Sequence, residues 1–159
     1  MSEKFSSGTE RVQNALTAAR LSCEIVEMPS TTRTAQEAAD AIGCDVAHIA
    51  KSLVFRTKSL QPILVIASGS NRVNEKTLAL LIGETIEKPD ADFVKEKTGF
   101  TIGGIPPVGH TEKLVTFFDE DLMKYDVIWA AAGTPFSLIK LTPTELERLV
   151  PDGKRINIH

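Results

Sequence analysis

Thr34-Ala35-Gln36-Glu37-Ala38-Ala39-Asp40-Ala41-Ile42-Gly43-Cys44-Asp45-Val46-Ala47-His48-Ile49-Ala50-Lys51-Ser52-Leu53-Val54-Phe55-Arg56 packs a helix, a turn and a strand into one short run, and that compression decides the fold class. Thr34 followed by Glu37 makes a capping box, in which each side chain can satisfy the other residue's orphan backbone N–H. Ala35, Ala38, Ala39 and Ile42 form the apolar face, and Gly43 can supply the left-handed stop. Asp45 can cap a further turn through Val46, Ile49 and Ala50, which delivers Lys51 to the mouth of a strand from Ser52 to Arg56.

Outward from this run the elements stay short. Val12, Ala15, Leu16 and Ala19 repeat at helical spacing after Thr9. A helix runs from Asn74 to Ile82 with Gly83 behind it, and another begins at Asp90, just after Pro89, and stops at Gly99. Thr142-Pro143-Thr144-Glu145 combines an N-cap, a first-turn proline and a glutamate before Leu146, Leu149 and Val150. Strand-like runs span Cys23 to Met28, Leu53 to Arg56, Ile63 to Ala67, Thr85 to Glu87, Leu114 to Phe118, Val127 to Ala131 and Ser137 to Leu141. They do not alternate strictly with long helices, which disfavours a doubly wound parallel sheet. The pattern predicts an α+β (mixed α/β) fold: a mixed, largely antiparallel sheet or barrel of about six or seven strands with helices packed outside.

A chain of 159 residues with 42% hydrophobic content suits one domain, residues 1–159, with a proper core. The formal charge of −3 excludes a generally basic surface, yet Lys51, Arg56, Lys58, Arg72 and Lys76 cluster against Glu75 alone. That asymmetry fits either a phosphate-facing side or a set of solvated cations. Cys23 and Cys44 lie too far apart for a redox pair and lack neighbours at metal-ligand spacing, so both read as packing residues. No apolar run approaches the roughly 20 residues of a membrane span, and Met1 to Gly8 is polar without a signal core. The expectation is a cytoplasmic protein without membrane contact.

Thr98-Gly99-Phe100-Thr101-Ile102-Gly103-Gly104-Ile105-Pro106-Pro107-Val108-Gly109-His110 can be neither an ordinary helix nor a regular central strand, because glycine and proline dominate it. It is either a rigid turn or a loop shaped to present main-chain N–H groups to an oxyanion. P-loop, dinucleotide-binding, HExxH and GxSxG patterns are all absent. His110-Thr111-Glu112 matches half of a zinc-deaminase signature whose cysteine half is missing, so no metal and no cofactor are expected. His110 either ties the loop or transfers protons. Lys51, set between apolar Ile49-Ala50 and Leu53-Val54-Phe55, must snorkel outward or face a polar cavity. In the second case, a fixed charge and the Gly103-Gly104 main chain would converge on one anionic or ester-bearing ligand.

Ile49-Ala50-Lys51-Ser52-Leu53-Val54-Phe55, the Gly103-to-His110 loop and Ala131-Ala132-Gly133-Thr134-Pro135 leading into Leu141-Thr142-Pro143 resemble the YbaK/EbsC-like family of aminoacyl-tRNA editing domains and deacylases. The resemblance covers the chain roughly from Cys23 to the last helix. It implies hydrolysis of mischarged aminoacyl-tRNA, bound by its 3′ acceptor end, with an aminoacyl-tRNA synthetase as a further candidate partner. It implies Lys51, Gly103 and Gly104 as catalytic positions, and Ser52, Ile105, Pro106, His110, Ala131, Gly133 and Thr134 as substrate-binding ones. An ester is activated enough that orientation and charge stabilisation suffice without a covalent nucleophile. The family's cysteinyl-tRNA deacylases carry a serine in the segment matching Ala130-Ala131-Ala132-Gly133. With Ala131 at the serine position a hydroxyl contact specific for cysteine is lost, so the amino acid expected to be removed is a small one such as alanine, serine, threonine or cysteine.

Overall fold

A computed structural model describes residues 7–159, and the polar start of the chain read above for its lack of a signal core lies largely outside them. The chain runs α1 (Ser7–Ala18), β1 (Ile25–Glu27), α2 (Ala35–Ile42), β2 (Ile49–Thr57), β3 (Pro62–Ser68), α3 (Glu75–Ile82), β4 (Ile86–Glu87), α4 (Ala91–Thr98), β5 (Val115–Asp119), β6 (Ile128–Ala131), β7 (Ser137–Leu141), α5 (Pro143–Leu149) and β8 (Lys154–Ile156). Short 3-10 turns occupy Val46–His48 and Glu120–Lys124.

The helix ends follow the caps. Thr34 Oγ1 accepts from the Glu37 N–H at 3.0 Å, and Glu37 returns the bond to the Thr34 N–H. Gly43, at φ +83°, stops the helix as only a residue at ease in the left-handed region can. Thr142 and Glu145 repeat the box at α5. Loss of such a cap costs about 1 kcal/mol.

The eight strands form one mixed sheet in the order β1-β7-β6-β2-β3-β5-β8, with β4 beside the far end of β2. Pairings β1·β7, β6·β7, β2·β3 and β2·β4 are antiparallel, whereas β2·β6, β3·β5 and β5·β8 are parallel. β1 and β8 end the ladder, so the sheet is open and not a barrel. β3 is an interior strand, buried along its whole length. Leu64 and Ile66 pack with Val12 and Leu16 of α1 and Leu146 of α5, while Ile63, Val65 and Ala67 join Leu78 of α3. Period-two alternation thus feeds two cores, one on each face. On the α3 face, α2 covers Ile49 and Leu138 through Ala38 and Ala39.

One expectation needs correction. The turn after Asp45 ends at His48, and Ile49 already belongs to β2, since its carbonyl accepts from the Gly69 N–H at 2.7 Å and it pairs with Trp129. Lys51 therefore lies inside a strand and not at its mouth. The eighth strand, Lys154-Arg155-Ile156, has no apolar run to announce it, because two of its three residues are exposed cations on the sheet's edge. Among the described residues no helix is long and apolar enough to cross a membrane.

Candidate active site

β2 is paired on both sides only at its ends. Along one side it meets β3 from Ala50 to Arg56. On the other, β6 reaches only Ile49 and Ala50, and β4 only Arg56 and Thr57. Between them Lys51 to Phe55 keep one edge open. Two local causes hold it so. β6 runs out into the turn at Gly133, φ +98°. At the other end, continuing the Arg56–Glu87 register sets Pro89 opposite Val54, and proline has no N–H to extend a ladder.

A cleft of about 550 Å³ follows this edge. Its floor is Lys51 to Phe55; Arg72, Val73 and Glu75 form one wall, Val94, Ile102 and Ile105 the other, and Lys88-Pro89 close one end. The glycine loop and Lys51 thus border a common hollow.

Three cations line this cleft: Lys51, Arg72 and Lys88. None has an ion pair or side-chain hydrogen bond among the described residues. Burial pushes the Lys51 ammonium below the ordinary lysine value, the Arg72 guanidinium pushes it further, and Asp119 opposes both. Asp119 is fully buried. It is held by the Ser68 N–H at 3.0 Å, by Asn71 Nδ2 at 2.8 Å and by the Asp121 N–H at 2.9 Å. A fixed anion therefore balances a lysine whose charge burial disfavours. Ser52 Oγ is also buried and has no hydrogen-bond partner among the described residues, which is uncommon enough to mark the spot.

The glycine loop is shaped by close approach. Gly103 adopts φ +98°, and a Cβ there would lie 3.1 Å from Arg33 Cγ. At Gly104 a Cβ would come within 2.8 Å of the Thr134 carbonyl carbon, so the loop seats directly on the Gly133-Thr134-Pro135 turn. The Gly104 N–H donates inside the loop to the Thr101 carbonyl at 3.1 Å. The amides of Gly103 and Ile105 have no such bond among the described residues and are available as donors.

The residues singled out from the sequence do not all meet at the cleft. Lys51, Ser52 and Ile105 border the cleft, and Gly103 and Gly104 lie on the loop between its lining residues Ile102 and Ile105. Gly133 and Thr134 stand behind that loop, where Thr134 Oγ1 accepts from the Phe136 N–H at 3.2 Å and lies 2.8 Å from Ser137 Oγ. Ala131, half-buried, follows Ala130 on β6 as Lys51 follows Ala130's partner Ala50 on β2. Pro106 and His110 are not at the cleft. His110 lines a second cavity, of about 560 Å³, with Pro107, Val108 and Gly109. Its Nε2 sits 2.7 Å from the Pro106 carbonyl, so that nitrogen carries the proton. Burial lowers its pKa from the ordinary 6.5, the Pro106 bond opposes this, and Arg11 adds to it. Glu112, the third residue of the H-x-E pattern, pairs with Lys97 at 3.2 Å. Arg72, Lys88, Val94 and Ile102 were not singled out as site residues. Arg72 left a trace in the basic window, and Ile102 in the glycine loop.

Residues 29–149 match the aminoacyl-tRNA editing domain family, and the chain belongs to it. It is 32% identical to the uncharacterised protein YwhH of Bacillus subtilis (strain 168) over 77% of this chain and 78% of that one. A protein of Enterococcus faecalis (strain ATCC 700802 / V583), provisionally named Cys-tRNA(Pro)/Cys-tRNA(Cys) deacylase EbsC, is 26% identical over 69% of this chain and 68% of its own. A crystal structure of a protein provisionally described as a trans-editing enzyme for prolyl tRNA synthetase superposes with a TM-score of 0.90 at 40% identity, covering 98% of each chain.

Proposed function

We propose that this protein hydrolyses the ester of mischarged aminoacyl-tRNA in trans, removing a small amino acid such as alanine, serine, threonine or cysteine. One observation carries the reading: Lys51 and the glycine loop border one cleft whose three cations have no ion-pair partner among the described residues. The tRNA acceptor end brings phosphates and an ester together. Lys51, with Arg72 and Lys88 beside it, meets the phosphate charge, and the free amides of the loop orient the ester carbonyl and stabilise the oxyanion as water attacks. The leaving group is the ribose hydroxyl, so the products are a free amino acid and intact tRNA. Neither a nucleophilic side chain nor a metal enters this scheme. The two relatives named for deacylase and trans-editing activity support it, and the second makes a prolyl-tRNA synthetase the first candidate partner.

Alanine at position 131 favours alanine, serine or threonine over cysteine within that set. The test is amino acid release from purified Cys-, Ala-, Ser- and Thr-tRNA, including species built on proline tRNA. Release from at least one above the buffer rate is expected. No release from any, where a known editing enzyme is active, overturns the proposal.

A further inference from the structure

The open edge of β2 has a defined hydrogen-bonding polarity. At one end of the β2·β3 ladder the Gly69 N–H donates to the Ile49 carbonyl at 2.7 Å, and at the other the Thr57 N–H donates to the Gln61 carbonyl at 3.0 Å. Antiparallel pairing alternates, so the odd-numbered residues of β2 turn their peptide groups toward β3 and the even-numbered ones turn theirs away. Ala50 meets β6, and Arg56 meets β4. That leaves the N–H and C=O of Ser52 and Val54 facing the cleft, unpaired among the described residues, beside the unpartnered Ser52 hydroxyl.

An added peptide strand is a poor fit, since β6 and β4 block the edge on either side of just these two residues. The ligand must be compact, offer a donor beside an acceptor along one edge, and present apolar faces to Val73 on one wall and to Val94 and Ile105 on the other. It should also be joined to phosphate, given Lys51 and Arg72. A bare ammonium fails the last condition, because those cations repel it. A nucleobase meets all of them, and adenine carries an amino donor next to a ring-nitrogen acceptor.

The geometry points to an adenine-reading edge: the Ser52 carbonyl accepts from the exocyclic amino group, and the Val54 N–H donates to the neighbouring ring nitrogen. This rests on the deacylase reading for its biological ligand, the terminal adenosine that bears the amino acid. The binding chemistry itself does not depend on turnover. Recognition through main chain also leaves no side-chain signature in the sequence.

The test titrates the ¹⁵N-labelled protein with AMP, IMP and ribose 5-phosphate. IMP has the same shape but reverses the donor and the acceptor at this edge. AMP is expected to shift the Ser52 and Val54 amides and to bind about tenfold or more tighter than IMP. Ribose 5-phosphate should leave those two amides in place. Equal binding of AMP and IMP, AMP shifts that bypass Ser52 and Val54, or no saturable AMP binding up to millimolar concentrations would each overturn the assignment. A second arm compares deacylation of mischarged tRNA ending in adenosine with the same tRNA ending in inosine. A loss of about tenfold or more in kcat/KM supports the edge, and equal turnover counts against it. If neither tRNA is hydrolysed, the deacylase reading fails, and the AMP and IMP titration still decides this one.

Discussion

Two cavities of nearly equal volume, about 550 and 560 Å³, flank the glycine loop, yet they differ in everything that makes a site. In the cavity with His110, Lys113 pairs with Asp152 at 2.6 Å, Glu112 with Lys97 at 3.2 Å, and the histidine is tied to Pro106; Arg148 alone lacks an ion pair among the described residues. In the cleft along β2, three cations, a strand edge and a hydroxyl are without hydrogen-bonded or ion-pair partners among the described residues. Volume does not separate the two. Unspent bonding capacity does, because a folded chain normally pairs its polar groups and leaves them unpaired where a ligand completes them.

The largest test of this contrast is Lys51→Ala. Removal of a cation facing developing or phosphate charge should lower kcat/KM by about a hundredfold, with the thermal midpoint nearly unchanged because Lys51 has no bonded partner to abandon. Wild-type turnover by this variant would erase the difference between the cavities. Next comes Arg72→Ala, expected to raise KM roughly tenfold and to flatten the salt dependence of tRNA binding by about one unit of slope. It also carries a pH signature. Arg72 helps hold the Lys51 pKa down, and activity that needs the ammonium is lost as pH rises through that pKa. Without Arg72 the alkaline limb of the rate profile should move to higher pH.

Ser52→Ala should lower turnover several-fold while leaving unfolding by urea unchanged or slightly harder, since it deletes a buried hydroxyl with no bond to lose. The smallest catalytic effect belongs to the other cavity: His110→Gln should alter kcat/KM less than about threefold, because glutamine can still donate to a carbonyl. Its consequence is for stability. A histidine whose folded pKa is depressed binds its proton more readily when unfolded, so it contributes stability above pH 6.5 that is lost as pH falls toward the lowered value. Thermal midpoints of the wild type should therefore fall more steeply than those of His110→Gln below pH 6.5. A hundredfold rate loss in His110→Gln would bring catalysis into the wrong cavity.

Much of this architecture could be anticipated residue by residue. The boxes at Thr34 and Thr142, the Asn74 and Asp90 caps and the stops at Gly43, Gly83 and Gly99 all stand where local pattern puts them. Each is an interaction between groups a few residues apart, so the signal and its cause occupy the same window. Lys51 and the glycine loop were also visible, one as a charge in an apolar run and the other as a segment barred from regular structure. Arg72 and Lys88 carried no sign that they would meet across a cleft, and the three residues of β8 gave none that they would pair with β5.

Short-range chemistry in the chain thus settles where the capped helices begin and end, which apolar runs are strands and which segment cannot be regular structure. The open side of β2 is a different kind of fact. It arises because β6, distant in sequence, leaves after two residues and Pro89 cannot take its place, and strand pairing draws on partners that no local window contains. Folding alone brings the cations, the loop amides and the unpaired strand edge to a single cleft.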